Sequence, residues 1–278
     1  MGVELVVLDF DGNLTNVDIE AIPFVESYKT DFSNALSIER SKLDLIWDRK
    51  QSIIESNPSA YGWTVNGMIV APAYADPLIM SRTIAGILLK DSGITDESIR
   101  QKMLDAFFQN SYGKLGISFK EDADRFLIGL KENIACCVMT NSKTDGVVKK
   151  IEKLPSDHSD IVVYGDAKKY FVTPEWEGVV PNSIEKDGFG RPLFVRRQQY
   201  WNALHSVMQK YHLHPENVAV VGDIYELDLL LPEMVGMHTI LTPREKTPTF
   251  EINAVLQSRK GYVAQSLDDA LDHLLIIK

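Results

Sequence analysis

The chain has 278 residues, 45% of them hydrophobic and 24% charged, and a formal net charge of -10 at pH 7. That length is generous for one compact domain and favours a main domain carrying a large insertion. The acidic balance excludes an extended nucleic-acid or anionic-membrane surface, because such partners need clustered Lys and Arg to replace counterions. Cys136 and Cys137 are adjacent inside an apolar run, which suits neither a disulfide framework nor a CxxC redox or zinc pattern. No basic segment leads into a cleavable apolar core, and no apolar run approaches the ~20 residues of a membrane span. The expected location is the cytoplasm, with no membrane and no nucleic acid as partner.

The first predicted element is the run Leu5-Val6-Val7-Leu8, which stops at Asp9-Phe10-Asp11-Gly12. It reads as a buried strand whose two carboxylates sit at its carboxyl edge, where open α/β sheets bind ligands. Two like charges held so close are tolerable only with a bridging cation or with one carboxyl protonated. From residue 17 to 116, apolar residues recur at helical spacing in 38–54, 78–89 and 99–108 with little strand signal. This stretch is expected to be an inserted, mostly helical domain. Its aromatic and Met-rich zone (Tyr61, Trp63, Met68, Tyr74, Met80) is expected to serve packing. The charges along 120–131 read as a solvated helix face.

Beyond the insertion the opening pattern repeats. Strand-length apolar runs at 134–139, 161–163, 218–221 and 238–241 end at Thr140, Tyr164-Gly165-Asp166, Gly222-Asp223 and Thr242. Helical periodicity at 144–154 and 198–211 separates them, and strands alternating with helices imply a parallel sheet. The fold class is therefore α/β, a Rossmann-like doubly wound parallel sheet. Residues 168–196 break the alternation: Tyr170-Phe171-Val172-Thr173 and Asp187-Gly188 suggest extended segments and a turn. The expected domains are 1–16 with 117–278 as the core, and 17–116 as the insertion.

Chemistry-bearing residues gather at the predicted strand ends. Met139-Thr140-Asn141-Ser142 offers hydrogen-bonding side chains that either bind an oxyanion or cap the following helix. Gly222-Asp223 places a carboxylate at another strand end, and Asp228 follows about one helical turn later. That spacing suits a metal ligand and its supporting carboxylate. His212 and His214 flank Leu213 before Pro215, and read as a helix terminus rather than a zinc site.

In order and content these segments resemble the haloacid dehalogenase (HAD) superfamily of aspartate-nucleophile hydrolases. Its first motif, an apolar strand followed by DxDG, is matched by Asp9, Asp11 and Gly12; its second by Thr140; its fourth, GDxxxxD, by Gly222, Asp223 and Asp228. The resemblance implies that Asp9 is the nucleophile and Asp11 the proton shuttle. It implies Mg²⁺ held by Asp9, Asp223 and the main-chain carbonyl of Asp11, with Asp228 orienting the shell. Gly12, Thr140, Asn141 and neighbouring N–H groups would hold phosphoryl oxygens. Asn13 stands where the family often has Thr, and keeps a polar side chain suited to a turn.

The family's third motif, a Lys or Arg that balances nucleophile and phosphate charge, has several candidates here. Arg197, at the start of the helix before Gly222-Asp223, is the first choice as catalytic and phosphate-binding cation; Arg196, Lys168 and Lys169 are the alternatives. Dehalogenases of the superfamily generally lack the second acidic residue of the first motif, so Asp11 favours phosphoryl chemistry. The insertion between the first and second motifs resembles the helical type 1 cap, which implies a small phosphorylated substrate. The expected activity is an Mg²⁺-dependent phosphatase. The alternatives are a phosphomutase of the same superfamily and a non-catalytic phosphate-binding module.

Overall fold

A computed structural model describes residues 2–278. The chain divides into two compact units, one running to Asn16 and resuming at Phe119, the other spanning Val17–Ser118. The first unit opens with β1 (Leu5–Leu8), buried at every position as the predicted run requires.

The second unit holds helices α1 (Val17–Glu20), α2 (Ile22–Leu36) and α3 (Arg40–Ser56), strands β2 (Gly62–Val65) and β3 (Met68–Pro72), and helices α4 (Pro77–Asp91) and α5 (Glu97–Tyr112). Phe24, Tyr28 and Phe32 recur every fourth residue along α2 and are fully buried. Tyr28 and Phe32 meet Trp47 of α3 and Phe107 of α5 at ring-centroid distances of 5.5–6.3 Å. Aromatic packing of this kind supplies both burial and edge-to-face geometry. Tyr61 and Met80 pack against that core and Tyr74 is buried, the packing role expected of this zone.

The unit is not purely helical, however: β2 and β3 form an antiparallel hairpin. Its turn is Asn66-Gly67, with φ of 50° and 77°. Positive φ at both positions is what a two-residue hairpin of matching twist demands, and Asn-Gly supplies it at least cost. The dipeptide was therefore a readable signal that helical periodicity on either side obscured.

The first unit continues with α6 (Ala123–Asn133), β4 (Ala135–Met139), α7 (Thr144–Ile151), β5 (Val162–Tyr164), β6 (Ser183–Ile184), β7 (Leu193–Phe194) and α8 (Gln198–Tyr211). It ends with β8 (Val218–Gly222), α9 (Leu230–Met234), β9 (His238–Leu241), α10 (Thr249–Leu256), β10 (Gly261–Val263) and α11 (Leu267–Ile277). Six strands make one sheet in the order β10-β9-β8-β1-β4-β5, and each adjacent pair is parallel.

Alternation along β1 feeds two cores: Leu5 and Val7 join the α8 residues Tyr200, Leu204 and Val207, while Val6 and Leu8 join Phe126 and Leu130 of α6 and Leu274 of α11. Burial on both faces is why these strands read as continuous apolar runs. The chain builds outward from β1 through β4 to β5, then returns to the other side of β1 for β8, β9 and β10. The strand order therefore reverses at β1, and in open α/β sheets the crevice beyond the carboxyl ends at such a point is where ligands bind.

The predicted β excursion is present as the short antiparallel pair β6–β7. Among the described residues no helix is long and apolar enough to cross a membrane. Cys136 and Cys137, as neighbours on β4, point to opposite faces: Cys137 lies in the core with Leu5 and Val7, and Cys136 packs on the other. Burial pushes the Cys136 thiol up to about 11 and the Cys137 thiol up to about 12. Since the thiolate is the nucleophile, neither cysteine of the native protein should be alkylated by iodoacetamide at pH 8, and both should react in denaturant. Mass spectrometry checks this, and rapid native labelling of Cys137 would contradict the placement of β4.

Candidate active site

Three strand ends of the core unit, β1, β4 and β8, carry the candidate residues. Asp9 follows β1 and is anchored by its own N–H, which donates to Val221 O at 2.8 Å. The chain then turns through Gly12, with φ of 85°. A Cβ on Gly12 would lie 2.3 Å from Asp223 Oδ2, so glycine is required by backbone conformation and by the approach of that carboxylate. Asn13 closes the turn: its Nδ2 donates to Asp9 O at 2.9 Å, and its Oδ1 accepts from Thr242 Oγ1 at 2.7 Å, joining the ends of β1 and β9.

Asp223 follows β8, and the next residues, Tyr225–Leu229, form a single π-helical turn. Such wide turns recur where a side chain must be re-aimed. Here the turn brings Asp228 back over Gly222, where a Cβ would stand 2.6 Å from Asp228 Cβ. Asp228 is held by Ile224 N–H, which donates to its Oδ2 at 3.1 Å, and by Tyr200 Oη–H, which donates to its carbonyl at 2.8 Å. The result is a buried cluster in which carboxylate oxygens of Asp9, Asp223 and Asp228 lie within 4.8 Å of one another.

One ammonium group enters that cluster. Lys169 Nζ donates to Asp9 Oδ1 at 2.6 Å and to Asp228 Oδ1 at 2.9 Å, with its side chain 1% exposed. Burial pushes the Asp9 carboxyl well above the usual range; the Lys169 charge opposes that, and Asp228 and Asp223 add to it. Burial also works against the Lys169 ammonium, but the Asp228 and Asp9 charges outweigh it and hold Lys169 above an ordinary lysine.

The cation that meets Asp9 is thus Lys169, an alternative in the sequence, and not the first choice, Arg197. Arg197 is fully buried, but its guanidinium donates to the main-chain carbonyl of Lys169 and lies 3.6 Å from Glu226. Arg196 donates to Pro174 O at 2.7 Å. The reason lies in the loop after β5, where Asp166 and Lys168 both take left-handed φ, 53° and 49°. Asp166 N–H donates to Ser142 O and Ala167 N–H to Thr140 O, at 3.0 and 2.9 Å, lacing this loop to the end of β4 and delivering Lys169 to Asp9.

The segment after β4 serves Asp11. Ser142 Oγ donates to Asp11 Oδ2 at 2.6 Å, Thr140 Oγ1 lies 3.5 Å from the same oxygen, and Lys150 Nζ donates to Oδ1 at 3.3 Å. Thr140 Oγ1 also accepts from Ser142 N–H at 3.1 Å. Asn141 turns its Oδ1 to the Lys169 N–H, 2.7 Å away. The two carboxylates of the first motif thus occupy different surroundings: Asp9 joins the acidic cluster, and Asp11 faces hydroxyls and a lysine.

Several participants were missed in the sequence. Ser142 was read only as one of the hydrogen-bonding side chains after β4 and not as a partner of Asp11; Lys150, on α7 just after that segment, was not read at all. Arg244, whose Nε is 2.8 Å from Asp223 Oδ2, follows the end of β9, so the strand-end reasoning applied elsewhere would have found it. Lys120 is not on a solvated face: burial lowers it, and the charges of Asp223 and Asp122 resist that lowering. No sequence pattern distinguished it.

The donor set can be tested against Mg²⁺. Asp9, Asp223 and Asp228 supply only carboxylate oxygens, the hard ligands this cation prefers. Both oxygens of Asp228 are already engaged, by Lys169 and Ile224 N–H, which suits it to orienting the group while Asp9 and Asp223 act as ligands. The residues fit the ion.

Comparison with known proteins bears on the same segments. A family model described as HAD-hydrolase-like matches residues 201–270, which include Asp223 and Asp228. No curated protein matches. Among solved structures, a predicted phosphoglycolate phosphatase from Haemophilus somnus 129pt has TM-score 0.57 and 16% identity, covering 98% of this chain and 97% of that one. YfnB from Bacillus subtilis, titled a HAD-hydrolase and solved bound to magnesium, has TM-score 0.53 and 13% identity, with 99% of each chain covered. A HAD-superfamily hydrolase of subfamily IA from Geobacter sulfurreducens has TM-score 0.53 and 15% identity over 98% of this chain and 97% of that one. At these identities the structures show the fold alone; the likeness to HAD hydrolases in sequence rests on the family model matched over residues 201–270.

Proposed function

We propose that the protein is an Mg²⁺-dependent phosphatase acting on a small phosphomonoester through an aspartyl-phosphate. The observation that carries this reading is the unequal setting of the two first-motif carboxylates: Asp9 bridged to Asp228 by Lys169 within the acidic cluster, Asp11 set against Ser142, Thr140 and Lys150. A nucleophile needs a fixed, ionised carboxylate. A proton shuttle needs neighbours that accommodate both of its states.

In the proposed reaction Asp9 attacks phosphorus, the bond from phosphorus to the leaving oxygen breaks, and Asp11 protonates that oxygen. Asp11 then takes a proton from water as the water oxygen attacks phosphorus. The bond to Asp9 breaks and inorganic phosphate leaves. Lys169 holds Asp9 in place and offsets the charge that accumulates on the phosphoryl oxygens, the largest contribution a preorganised site makes to such a reaction. Thr140 stands at the same edge, suited to a phosphoryl oxygen. Mg²⁺, held by Asp9 and Asp223 with Asp228 supporting, would neutralise phosphate charge and orient the ester. The insertion, resembling a type 1 cap, favours a small soluble substrate.

Purified protein with Mg²⁺ and an aryl phosphate should release phosphate. Asp9→Asn should lower kcat by at least about 1,000-fold and Lys169→Met by about 100-fold or more, with circular dichroism unchanged. Full activity in Asp9→Asn would sink the nucleophile assignment.

Metal binding is testable without turnover. Mg²⁺ should raise the Tm of the wild-type protein, since a ligand of the native state alone stabilises it, and Asp223→Asn should abolish that rise. Because Arg244 occupies the Asp223 carboxylate as a rival cation, Arg244→Gln should bind Mg²⁺ severalfold more tightly by calorimetric titration. Weaker binding in that variant would mean that Arg244 supports the metal rather than competing with it.

A further inference from the structure

We infer that Arg197 is a positioning residue for Lys169, kept in that role by Glu226 and Arg191. The inference rests on the reading of Lys169 as the cation of a phosphatase site, and it gives the fully buried Arg197 a task that direct contact with phosphate does not.

The Lys169 peptide is gripped on both sides. Asn141 Oδ1 accepts its N–H at 2.7 Å, and the Arg197 guanidinium donates to its carbonyl. The grip matters because the preceding loop is not in a relaxed conformation: Asp166 and Lys168 are non-glycine residues at φ of 53° and 49°. Such residues persist only where the surroundings over-determine them. A long lysine side chain at the end of such a loop keeps Nζ on Asp9 Oδ1 only if its backbone is fixed.

Arg197 is fixed in turn. Its Nε donates to Phe194 O at 3.3 Å, and its Nη2 lies 3.6 Å from Glu226 Oε1. Glu226 is fully buried and receives a two-pronged contact from Arg191, with Nη2 2.5 Å from Oε2 and Nη1 3.2 Å from Oε1. A planar guanidinium can serve several acceptors at set angles in a way that one ammonium cannot.

Glu226 also sits in the π-helical turn Tyr225–Leu229 that presents Asp228. The network therefore joins the loop bearing Lys169 to the turn bearing Asp228, the two segments that meet in the 2.9 Å contact between those side chains. Arg197 and Glu226 fix the frame in which that contact, and with it the contact to Asp9, is made.

The test is a mutant cycle in the full-length protein with Mg²⁺ and an aryl phosphate. Arg197→Met should lower kcat about 100-fold, the scale of a misplacement of about 1 Å, with KM changed less than about threefold. Arg197→Lys, which keeps a donor and a charge, should recover at least about tenfold of that loss. In a Lys169→Met background, Arg197→Met should cost no more than about a further twofold, because residues acting as one unit are not additive. Penalties that multiply would overturn the inference.

If Arg197→Met does not fold, Glu226→Gln, which keeps the shape and removes the charge facing Arg197, enters the same cycle with the same expectation. Hydrogen exchange at the Lys169 amide reads the grip without turnover: protection in the wild type should be lost in Arg197→Met. Wild-type protein that releases no phosphate would reject the phosphatase reading alone. Unchanged Lys169 exchange in Arg197→Met would reject the positioning role alone.

Discussion

At the carboxyl edge of the sheet, the Lys169 ammonium lies between the carboxylates of Asp9 and Asp228, almost sealed from solvent. Burying like charges is costly, and leaving one of them unpaired after losing its partner costs roughly 3–5 kcal/mol. With Asp223 in the same cluster, the charge gathered at the strand ends is offset by a cation that reaches the centre from another part of the chain. Everything nearby is arranged around that meeting. Gly12 and Gly222 lack side chains where Asp223 and Asp228 must approach, and Asn13 ties β1 to β9 beneath the cluster.

The fold makes this meeting possible by topology. Because β1 is central, with β4 on one side and β8 on the other, residues more than two hundred positions apart in the chain become neighbours at one edge. Register along the parallel pairs brings Leu8 beside Val138 and Val221, so the residues that follow each strand emerge side by side. Burial on both faces anchors the strands, and the chemistry is left to loops beyond their ends. The π-helical turn after β8 is one local departure from regular structure, and it carries Asp228 back over Gly222.

Much of this was legible in the sequence. Apolar runs bounded by turn residues marked the core strands most plainly at β1 and β8, which are buried at every position. The Asp9, Asp11 and Asp223 carboxylates were visible because they stand at the ends of such runs, and Asp228 because it follows about one helical turn after Asp223. The helical insertion was visible in its periodicity, and its hairpin was missed although Asn66-Gly67 announced it. Thr140 and Asn141 were read as phosphate binders; the structure adds that Thr140 contacts the Asp11 cluster and Asn141 holds the Lys169 backbone. Those contacts join segments whose proximity no local pattern encodes.

The choice among the cations separates what the two levels decide. Residue types and spacing determined by themselves that strands end in carboxylates; that a Lys or Arg answers them was what the family resemblance implied. Arg196, Arg197, Lys168 and Lys169 were equivalent on that ground, and helix position favoured Arg197. Only the tertiary structure brings Lys169 to Asp9, because that contact depends on where a loop with two left-handed residues is laced to the end of β4. There Arg197 faces the backbone of Lys169 and Glu226, and Lys169 alone of the four has its charge on Asp9. A long side chain's partner is set by the path of its backbone through space, and that path is fixed by contacts between segments distant in sequence.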